Sequence, residues 1–292
     1  MRLGALEAGG TKMVCSIGDE NGTILDRSKF PTLSPEETVP PMIEYFQKAG
    51  IEALGISSFG PLDLNPASPT YGYVTTTPKP GWANYPLLQA FKDALKVPTG
   101  IDTDVGGAAL AEFRMGAAKG LKSCVYVTVG TGIGAGVVAE GQLVHGMVHP
   151  EWGHMLLRIH PEDPMPHGVC PYHDGCLEGL ACGPAIDKRW GVPSRKLPRE
   201  HIAWEIEAYY LAQFCVTALV SISAEKIVLG GGIMQEEFLF PMIREKTLQL
   251  LNGYVAADQV LNHIDEVIVP PGLGINSGVT GALILAAEAA GK

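Results

Sequence analysis

The chain has 292 residues, with 31 acidic and 21 basic side chains that give a formal net charge of −10. This length suggests two domains or one large α/β unit, and a composition of 46% hydrophobic and 18% charged residues excludes a disordered protein. The acidic balance argues against a nucleic-acid surface, which requires basic patches. The expected partners are therefore small molecules, with no nucleic acid and no membrane.

The N-terminal half alternates strands with helices, a pattern typical of an α/β fold. Two predicted strands, 2–8 and 12–17, meet at Gly9 and Gly10. The elements predicted after them are a helix at 36–49, a strand at 51–59, a long proline-rich loop at 60–84, a helix at 85–96, a strand at 99–103 and a helix at 105–115. A loop of this length is usually a binding element or a lid.

The second half repeats the same order of elements. The predicted elements are a strand at 124–129, a glycine loop at 130–136, a strand at 137–140, a loop-rich insert at 145–199, a helix at 201–222, a strand at 226–229, a glycine turn at 230–232 and a last helix at 277–290. Two similar halves predict duplicated α/β domains around a cleft. We expect a first domain at 1–118, with the helix 277–292 packing back on it. The second domain is expected at 119–276, with a metal-binding loop at 149–182.

The N-terminal residues reach Glu7 before any apolar run can form, so we expect no secretion signal and a cytoplasmic protein. The longest apolar stretch, 214–222, is far shorter than the roughly 20 residues that span a bilayer. The six cysteines are then expected to be reduced thiols.

Three glycine-rich turns follow apolar runs that are predicted strands: Gly9-Gly10-Thr11-Lys12, residues 130–136, and Gly230-Gly231-Gly232. Glycines allow successive N–H groups to converge on phosphate oxygens, and a lysine adds charge. One such turn alone is usually only a tight turn, but three favour a nucleotide site. Gly130, Gly132 and Ala135 loosely match a dinucleotide-binding fingerprint, which needs a helix next. Because a strand is predicted there, a nicotinamide-dependent oxidoreductase is the weaker hypothesis.

A short stretch rich in cysteine and histidine contains candidate metal ligands. Cys170, His173 and Cys176 form a C-x-x-H-x-x-C core, and His154 lies 16 residues upstream. Together they would complete a tetrahedral Cys2His2 site, in which four protein ligands predict a structural zinc. The competing fourth ligands are His149, His160, His167 and Cys182.

Asp104 lies where a predicted strand ends and a helix begins. From its position alone, the simplest interpretation is an N-cap that accepts the N–H of Gly106 or Gly107. A carboxylate at this end of a strand is also placed to accept a hydroxyl proton. Glu151 and Glu178 flank the cysteine cluster, where they either bind sugar hydroxyls or are ordinary solvated loop residues.

Taken together, these motifs resemble the ROK family of bacterial sugar kinases and related repressors, from residue 3 to about 285. The segments that carry the resemblance are 7–12, Asp104 with the helix behind it, 128–136, 151–154, 170–178 and 227–234. Segments 60–63 and 75–82 look most like the fructokinase branch of the family. The resemblance implies an actin-like ATPase (RNase H-like) fold of two α/β domains around a cleft, with a zinc-binding loop insert.

The same resemblance implies ATP- and Mg²⁺-dependent phosphorylation of fructose to fructose 6-phosphate by a homodimer that holds structural Zn²⁺. Asp104 matches the family's general base, and Asp104, Glu151, His154 and Glu178 match its sugar contacts. Its two phosphate hairpins are matched by Gly9, Gly10, Thr11 and Lys12 and by Thr131 and Gly132, and its nucleotide-edge turn by Gly231 and Gly232. The zinc ligands would be His154, Cys170, His173 and Cys176. His154 would bind zinc through one ring nitrogen and orient the sugar loop.

Two positions depart from the family pattern. Glu7 stands where Asp is commoner, so its contact with Mg²⁺ would be direct or through water. Gly106 stands where the family usually has Asn, which favours fructose over glucose. The alternatives are a broader hexokinase acting on mannose or glucose, and a sugar-responsive regulator of the same family. Such regulators carry an N-terminal helix-turn-helix, whereas the glycine hairpin starts here at residue 3, so we do not expect DNA binding.

Overall fold

The computed structural model describes residues 1–77 and 79–292, so Pro78, within the predicted loop 60–84 and the 75–82 segment, lies outside the described residues. The chain divides into two compact units. Unit 1 comprises Met1–Ala111, Leu143–Pro150 and Ile275–Lys292, and unit 2 comprises Glu112–Gln142 and Glu151–Gly274. Among the helices of the described part, none has both the length and the apolar character needed to cross a bilayer.

The strands within the described residues are β1 (Leu3–Ala8), β2 (Lys12–Gly18), β3 (Ile24–Pro31), β4 (Ala53–Ser58), β5 (Thr99–Thr103), β6 (Cys124–Val129), β7 (Ile133–Ala139), β8 (Gln142–Leu143), β9 (Lys226–Gly230) and β10 (Ile268–Val269). The α-helices are α1 (Pro35–Ala49), α2 (Leu87–Leu95), α3 (Asp104–Arg114), α4 (Leu177–Ala181), α5 (Gly183–Trp190), α6 (Ile202–Ile222), α7 (Leu239–Leu251), α8 (Asp258–Leu261), α9 (Ile264–Val267) and α10 (Ser277–Ala289).

The two sheets have the same topology. The first has the order β3-β2-β1-β4-β5 and the second has the order β10-β9-β6-β7-β8, which is the same arrangement written in reverse. In each sheet the first two strands form an antiparallel hairpin. On its other side, the first strand of the hairpin pairs parallel with a later strand, which is β4 in the first sheet and β9 in the second. The repeat of strand, glycine turn and strand in the sequence therefore corresponds to a repeat in the fold.

Unit 1 packs helices on both faces of its sheet. On one face, Phe46 of α1 and Phe91 of α2 are fully buried and meet edge to face, with ring centroids 6.3 Å apart. On the other face, α10 packs against β1 and β4, with Val279 buried beside Leu3. Helix α1 begins with Pro35 after Ser34 and ends at Ala49, with Gly50 as its C-cap. The left-handed φ of +63° at Gly50 ends the helix, which favours glycine there.

Unit 2 has a single core around the long apolar helix α6. Trp204, Tyr210 and Phe214 of this helix are buried against β6, β9 and the short helices α4 and α5. Full burial of a side chain such as Phe214 contributes about 2–3 kcal/mol. This core fixes the base on which the loop with the cysteine cluster is built.

Apart from short elements that were not predicted (β8, β10, α4, α5, α8 and α9), two details differ from the sequence predictions. Strand β3 was not predicted, because its sequence is largely polar. It is an edge strand without an apolar face, and its Leu25 side chain is 64% exposed. Strand β7 begins at Ile133, whereas a glycine loop to Gly136 was predicted. Gly134 and Gly136 pair with β6 through their backbones, and Gly153 packs so close to the Ile133 carbonyl that a Cβ there would lie 1.8 Å from it.

Candidate active site and metal centre

The turn between β1 and β2, residues 9–12, is here called the first glycine hairpin. Its four carbonyl groups all accept hydrogen bonds: Gly9 from Thr32 Oγ1 at 2.8 Å, Gly10 from Lys79 Nζ at 2.5 Å, and Thr11 and Lys12 from backbone N–H groups at 3.1 Å. Thr32 follows β3, the strand that was not predicted. The conformation of this turn is therefore fixed by neighbours on both sides.

Asp104 is the first residue of α3, directly after β5. Of the two N–H groups predicted to bond to Asp104, that of Gly106 is accepted by Thr103 Oγ1 at 2.9 Å. Asp104 Oδ1 instead accepts the N–H of Val105 at 2.9 Å. Thr103 therefore serves as the N-cap, and the half-buried Asp104 stands at the start of the helix.

A buried acidic residue two positions earlier has a histidine partner that the sequence did not suggest. Asp102 is 4% exposed, and its Oδ2 lies 2.9 Å from His145 Nε2. The hydrogen bond with Asp102 raises the pKa of His145, although partial burial opposes this. Asp102 Oδ1 also accepts the N–H of Thr103 at 2.7 Å. His145 therefore ties the segment Leu143–Pro150 to the residues that cap α3.

Glu7 lies at the end of β1, beside the first glycine hairpin. Burial raises the pKa of its carboxyl group, and the nearby charges of Arg27 and Lys12 oppose that shift. Its carboxylate approaches the start of α10 so closely that a Cβ at Gly278 would lie 2.8 Å from Glu7 Oε1. Glycine at 278 makes room for a side chain one methylene longer than the Asp expected from the family pattern.

In unit 2, the structure brings together the four side chains predicted to bind a metal: His154, Cys170, His173 and Cys176. Their ligand atoms lie within 4.8 Å of one another. The Sγ atom of Cys170 is 3.6 Å from His173 Nδ1 and 3.9 Å from His154 Nδ1, and Cys176 Sγ is 3.7 Å from His154 Nδ1. Tetrahedral zinc places sulfur and nitrogen ligands about 3.5–3.6 Å apart. The donor set and its spacing therefore fit zinc.

The other residues that the sequence offered as fourth ligands make different contacts. His149 belongs to unit 1, where its Nε2 accepts the N–H of Leu62 at 3.1 Å. His160 Nδ1 accepts the N–H of Glu162, and His167 pairs with Asp174 at 2.8 Å. Cys182 is buried between α4 and α5. The structure thus selects His154 from the alternatives that the sequence left open.

A buried polar network holds the loop between His154 and Cys170 independently of the cluster. Asp163 accepts hydrogen bonds from Arg189 Nε at 2.8 Å and from Tyr210 Oη at 2.6 Å. Arg189 also donates to the Leu180 carbonyl of α4 at 2.8 Å. The loop is therefore anchored to α4, α5 and α6 at its midpoint, and the cluster holds its two ends.

Glu178 of α4 connects the cluster to the turn between β6 and β7, residues 130–133, here called the second glycine hairpin. Its Oε2 accepts the N–H of Ile133 at 2.9 Å, and its Oε1 lies 4.0 Å from His154 Nε2. Because His154 Nδ1 faces the cysteines, one imidazole lies between the cluster and this carboxylate. Glu151 is an exposed residue just before the short 3₁₀ turn that carries His154.

The other candidate nucleotide-binding residues of unit 2 lie at turns. In the second glycine hairpin, Thr131 is exposed and Gly132 lies against Glu178, so a Cβ at Gly132 would be 2.8 Å from Oε2. Gly231, just after β9, has φ +93°, and a Cβ there would lie 2.4 Å from the Val129 carbonyl oxygen. Gly232 has open space around it. Because the second glycine hairpin connects antiparallel strands, it lacks the following helix that a dinucleotide-binding fold requires.

Comparisons with known proteins identify the class of this fold. The ROK family matches the chain over residues 3–289, and the chain belongs to that family. A ROK hexokinase from Thermus thermophilus superposes with a TM-score of 0.80 at 27% identity, covering 100% of this chain and 99% of that protein. These findings confirm the predicted actin-like ATPase fold with its mixed α/β sheets.

Two curated relatives match nearly the whole length. The chain is 47% identical to the fructokinase of Pediococcus pentosaceus over 289 residues, covering 99% of both proteins. It is 45% identical to the fructokinase of Zymomonas mobilis over 297 aligned positions, covering 99% of this chain and 97% of the relative. The predicted resemblance to the fructokinase branch is confirmed.

Proposed function

We propose that this ROK-family chain is an ATP-dependent sugar kinase that converts fructose to fructose 6-phosphate. The observation that carries the proposal is identity of 45–47% to fructokinases over essentially the whole chain. The topology within each unit supports it, since each has a glycine hairpin at the end of its first strand. A carboxylate also stands at the start of α3.

In the proposed mechanism, Asp104 accepts the proton of the 6-hydroxyl group as its oxygen attacks the γ-phosphorus atom of ATP. A bond forms between that oxygen and phosphorus, the bond from phosphorus to the bridging β–γ oxygen breaks, and ADP leaves. Thr103 and Asp102 support this step by fixing the first turn of α3, from which Asp104 projects. Phosphoryl transfer depends mainly on positioning and charge stabilisation.

Phosphate oxygens are assigned to the two glycine hairpins, and the edge of the nucleotide is assigned to the turn after β9. In unit 1, Gly9, Gly10, Thr11 and Lys12 supply N–H groups and one cation. In unit 2, Thr131 and Gly132 are assigned to phosphate, and Gly231 and Gly232 to the nucleotide edge. Glycine suits these positions because a backbone without Cβ can approach phosphate closely.

Sugar hydroxyl groups are assigned to Asp104, Glu151, His154 and Glu178. Glu178 and His154 support each other, since the carboxylate lies 4.0 Å from the ring nitrogen opposite the cysteines. Carboxylates accept hydrogen bonds from two hydroxyl groups at once, as sugar recognition requires.

Two metal ions complete the proposal. Mg²⁺, when bound with ATP, neutralises charge on the β- and γ-phosphates. Glu7 is the oxygen ligand assigned to it, directly or through water, because carboxylates are ligands that Mg²⁺ prefers. Zn²⁺ would be held by His154, Cys170, His173 and Cys176, and four protein ligands leave it a structural role.

We further propose that units 1 and 2 are the functional domains of the kinase, with α10 completing the first domain. A homodimer is proposed on the family resemblance, and light scattering would measure its mass. We also propose that the protein is cytoplasmic, because its phosphoryl donor is ATP.

The test of the function is ADP release from ATP and Mg²⁺ with a panel of fructose, mannose, glucose, N-acetylglucosamine and N-acetylmannosamine. Fructose should give the highest kcat/KM. If mannose or glucose leads, the enzyme is instead the broader hexokinase, a reading favoured by the likeness to the Thermus thermophilus hexokinase. No turnover with any sugar would contradict the kinase assignment.

The role of Asp104 is tested with Asp104→Asn. Loss of a general base should lower kcat by about 10²- to 10⁴-fold, while ADP binding and the melting temperature change little. Asp258→Asn, at the exposed start of α8, is the matched control with wild-type turnover. Full activity of Asp104→Asn would remove this residue as the base.

A further inference from the structure

Lys79 is a conspicuous lysine that the proposed function leaves without a role. It lies in the long loop after β4 and is half-buried. Its ammonium group donates a hydrogen bond to the Gly10 carbonyl at 2.5 Å. The same group lies 5.5 Å from the centroid of the Phe59 ring. A cation is thus held against the first glycine hairpin by a loop far away in sequence.

The backbone beside Lys79 is anchored by a buried tryptophan. Trp82 is fully buried, and its Nε1 donates to the Leu33 carbonyl at 2.7 Å. Its backbone N–H donates to the Lys79 carbonyl at 3.2 Å. The Trp82 ring meets Phe59 edge to face at 5.6 Å, and Phe59 in turn lies beneath the ammonium group. Lys79 is therefore held in place by the Phe59 ring and the buried Trp82, unlike a solvated surface lysine.

Peptide geometry gives the bond to Gly10 a directional effect. A trans peptide group is planar, and its C=O and N–H point in opposite directions. Fixing the Gly10 carbonyl therefore fixes the direction of the Thr11 N–H. Thr32 fixes two further amides in the same way. Its Oγ1 bonds to the Gly9 carbonyl and so fixes the direction of the Gly10 N–H. Its backbone N–H bonds to the Thr11 carbonyl and so fixes the direction of the Lys12 N–H. The hairpin carbonyls are held so that successive amides are aimed away from them.

We propose that Lys79 belongs to the phosphate-binding machinery: it aims the Thr11 amide and adds a second positive charge beside Lys12 for the phosphate oxygens of ATP. The inference rests on the proposed function, and it deepens that function by adding a residue to its nucleotide site. Hydrogen bonds with an ionised donor are roughly twice as strong as neutral ones. Gly10 is suited to this contact, since a Cβ there would lie 2.7 Å from Lys79 Nζ.

The experiment compares Lys79→Met, Lys79→Gln and Lys79→Arg with the wild-type enzyme. Lys79→Met removes the charge and the donor but keeps an unbranched stem, Lys79→Gln keeps a donor without charge, and Lys79→Arg keeps both. Lys92→Met, on the exposed side of α2, is the matched control. The measurements are the Kd of ADP by calorimetry, KM for ATP, KM for fructose and kcat.

The Met variant should raise the Kd of ADP and the KM for ATP by about 10-fold, with KM for fructose unchanged. The Gln variant should be intermediate, and the Arg variant should stay close to wild type. Rescue by Arg also separates a phosphate role from a loss of folding, which the melting temperature of each variant checks directly.

Nucleotide constants of Lys79→Met and Lys79→Gln within about twofold of wild type would overturn the proposal. A loss that appears only in KM for fructose would overturn it too. The failure of the proposed function looks different: the wild-type protein binds ADP but phosphorylates no sugar, and the ADP titrations of the variants still decide the role of Lys79. Wild-type protein that binds no nucleotide would overturn both.

Discussion

The two glycine hairpins occupy the same place in their sheets, but side chains of opposite charge hold them. In the first, the Lys79 ammonium group bonds to the Gly10 carbonyl. In the second, the Glu178 carboxylate bonds to the Ile133 N–H. The ammonium group on a carbonyl brings positive charge to the first hairpin. The carboxylate on an amide brings negative charge to the second hairpin and occupies one of its N–H donors.

This difference suggests a division of labour between duplicated elements. The first glycine hairpin is suited to anionic phosphate. The second is fixed by a residue that also approaches His154 of the metal cluster, so its position is linked to the region proposed to bind sugar. Changes at the first hairpin should then affect nucleotide constants, and changes around Glu178 should affect sugar constants.

Among the changes that compare the two hairpins, removing Glu178 has the largest expected effect. Glu178→Ala leaves the Ile133 N–H without its partner and removes a proposed sugar contact, so kcat/KM for fructose should fall by about 100-fold or more. The Kd of ADP should change little. Glu245→Ala, on the exposed side of α7, is the control. A larger effect on ADP than on fructose would break the comparison between the two hairpins.

The metal cluster gives the second prediction. Wild-type protein purified without chelator should contain about one zinc ion per chain. Cys176→Ser should lose that zinc and melt at a temperature lower by roughly 5 °C or more. The Asp163 network should keep unit 2 folded in this variant, because it anchors the loop without the cluster.

Cys182→Ser is the matched control for zinc binding. Cys182 is a buried free thiol close to Cys176 in sequence, and it lies outside the cluster. Elemental analysis should find its zinc content unchanged. Wild-type protein without zinc, or equal zinc in both variants, would contradict the ligand assignment.

A pair of glycine substitutions sharpens the comparison directly. A methyl group at Gly10 would lie 2.7 Å from Lys79 Nζ, and one at Gly132 would lie 2.8 Å from Glu178 Oε2. Each would push aside the far end of a flexible charged side chain. Gly10→Ala should raise KM for ATP by about 10-fold and leave KM for fructose unchanged. Gly132→Ala, at a position also assigned to phosphate, should raise KM for fructose by a similar factor in addition to its effect on ATP.

Each glycine variant serves as the control for the other, because the added volume is the same and only the displaced charge differs. Steady-state kinetics with both substrates varied would separate the two constants. If both substitutions raised KM for ATP and neither raised KM for fructose, the hairpins would not differ in the way their partners suggest.

The smallest expected effect concerns His145 and pH. The hydrogen bond with Asp102 raises the pKa of His145 above 6.5 in the folded protein, so the charged pair stabilises the fold fully below pH 6.5. That contribution is lost as the pH rises through the raised pKa. The difference in melting temperature between wild type and His145→Gln should therefore be largest at low pH.

His263→Gln is the control for this pH series, because His263 lies 3.7 Å from Asp258 in a pair that is largely exposed. Exposed pairs contribute little to stability. Melting curves across about pH 5.5 to 8.5 should show a shrinking gap for His145→Gln and a flat one for His263→Gln. A melting-temperature difference for His145→Gln that grows with pH would contradict the stabilisation by the charged pair.

Much of this molecule could be predicted from local sequence. Glycines between apolar strands predicted both hairpins, and the spacing of Cys170, His173 and Cys176 predicted a metal cluster. These signals are local, because turns and short ligand motifs are set by neighbouring residues. Strand β3 escaped because an edge strand needs no apolar face, so its polar sequence gave no alternation to read.

The long-range partners were beyond sequence reasoning. His145 meets Asp102, Glu178 meets Ile133, and Lys79 meets Gly10 only because the fold brings distant segments together. One signal was available for the first pair: an ionisable Asp102 within the otherwise uncharged strand β5 needs a partner when buried. No local pattern, however, indicated which histidine would supply it.

The place of α10 has a consequence for biosynthesis. This helix covers one face of the unit 1 sheet, with Val279, Ala282, Leu283 and Ala286 buried against it, yet it follows all of unit 2 in the chain. During translation, the strands of unit 1 leave the ribosome first but must wait with one apolar face uncovered. Unit 2 can close before them, so the first unit to be made is the last to be completed.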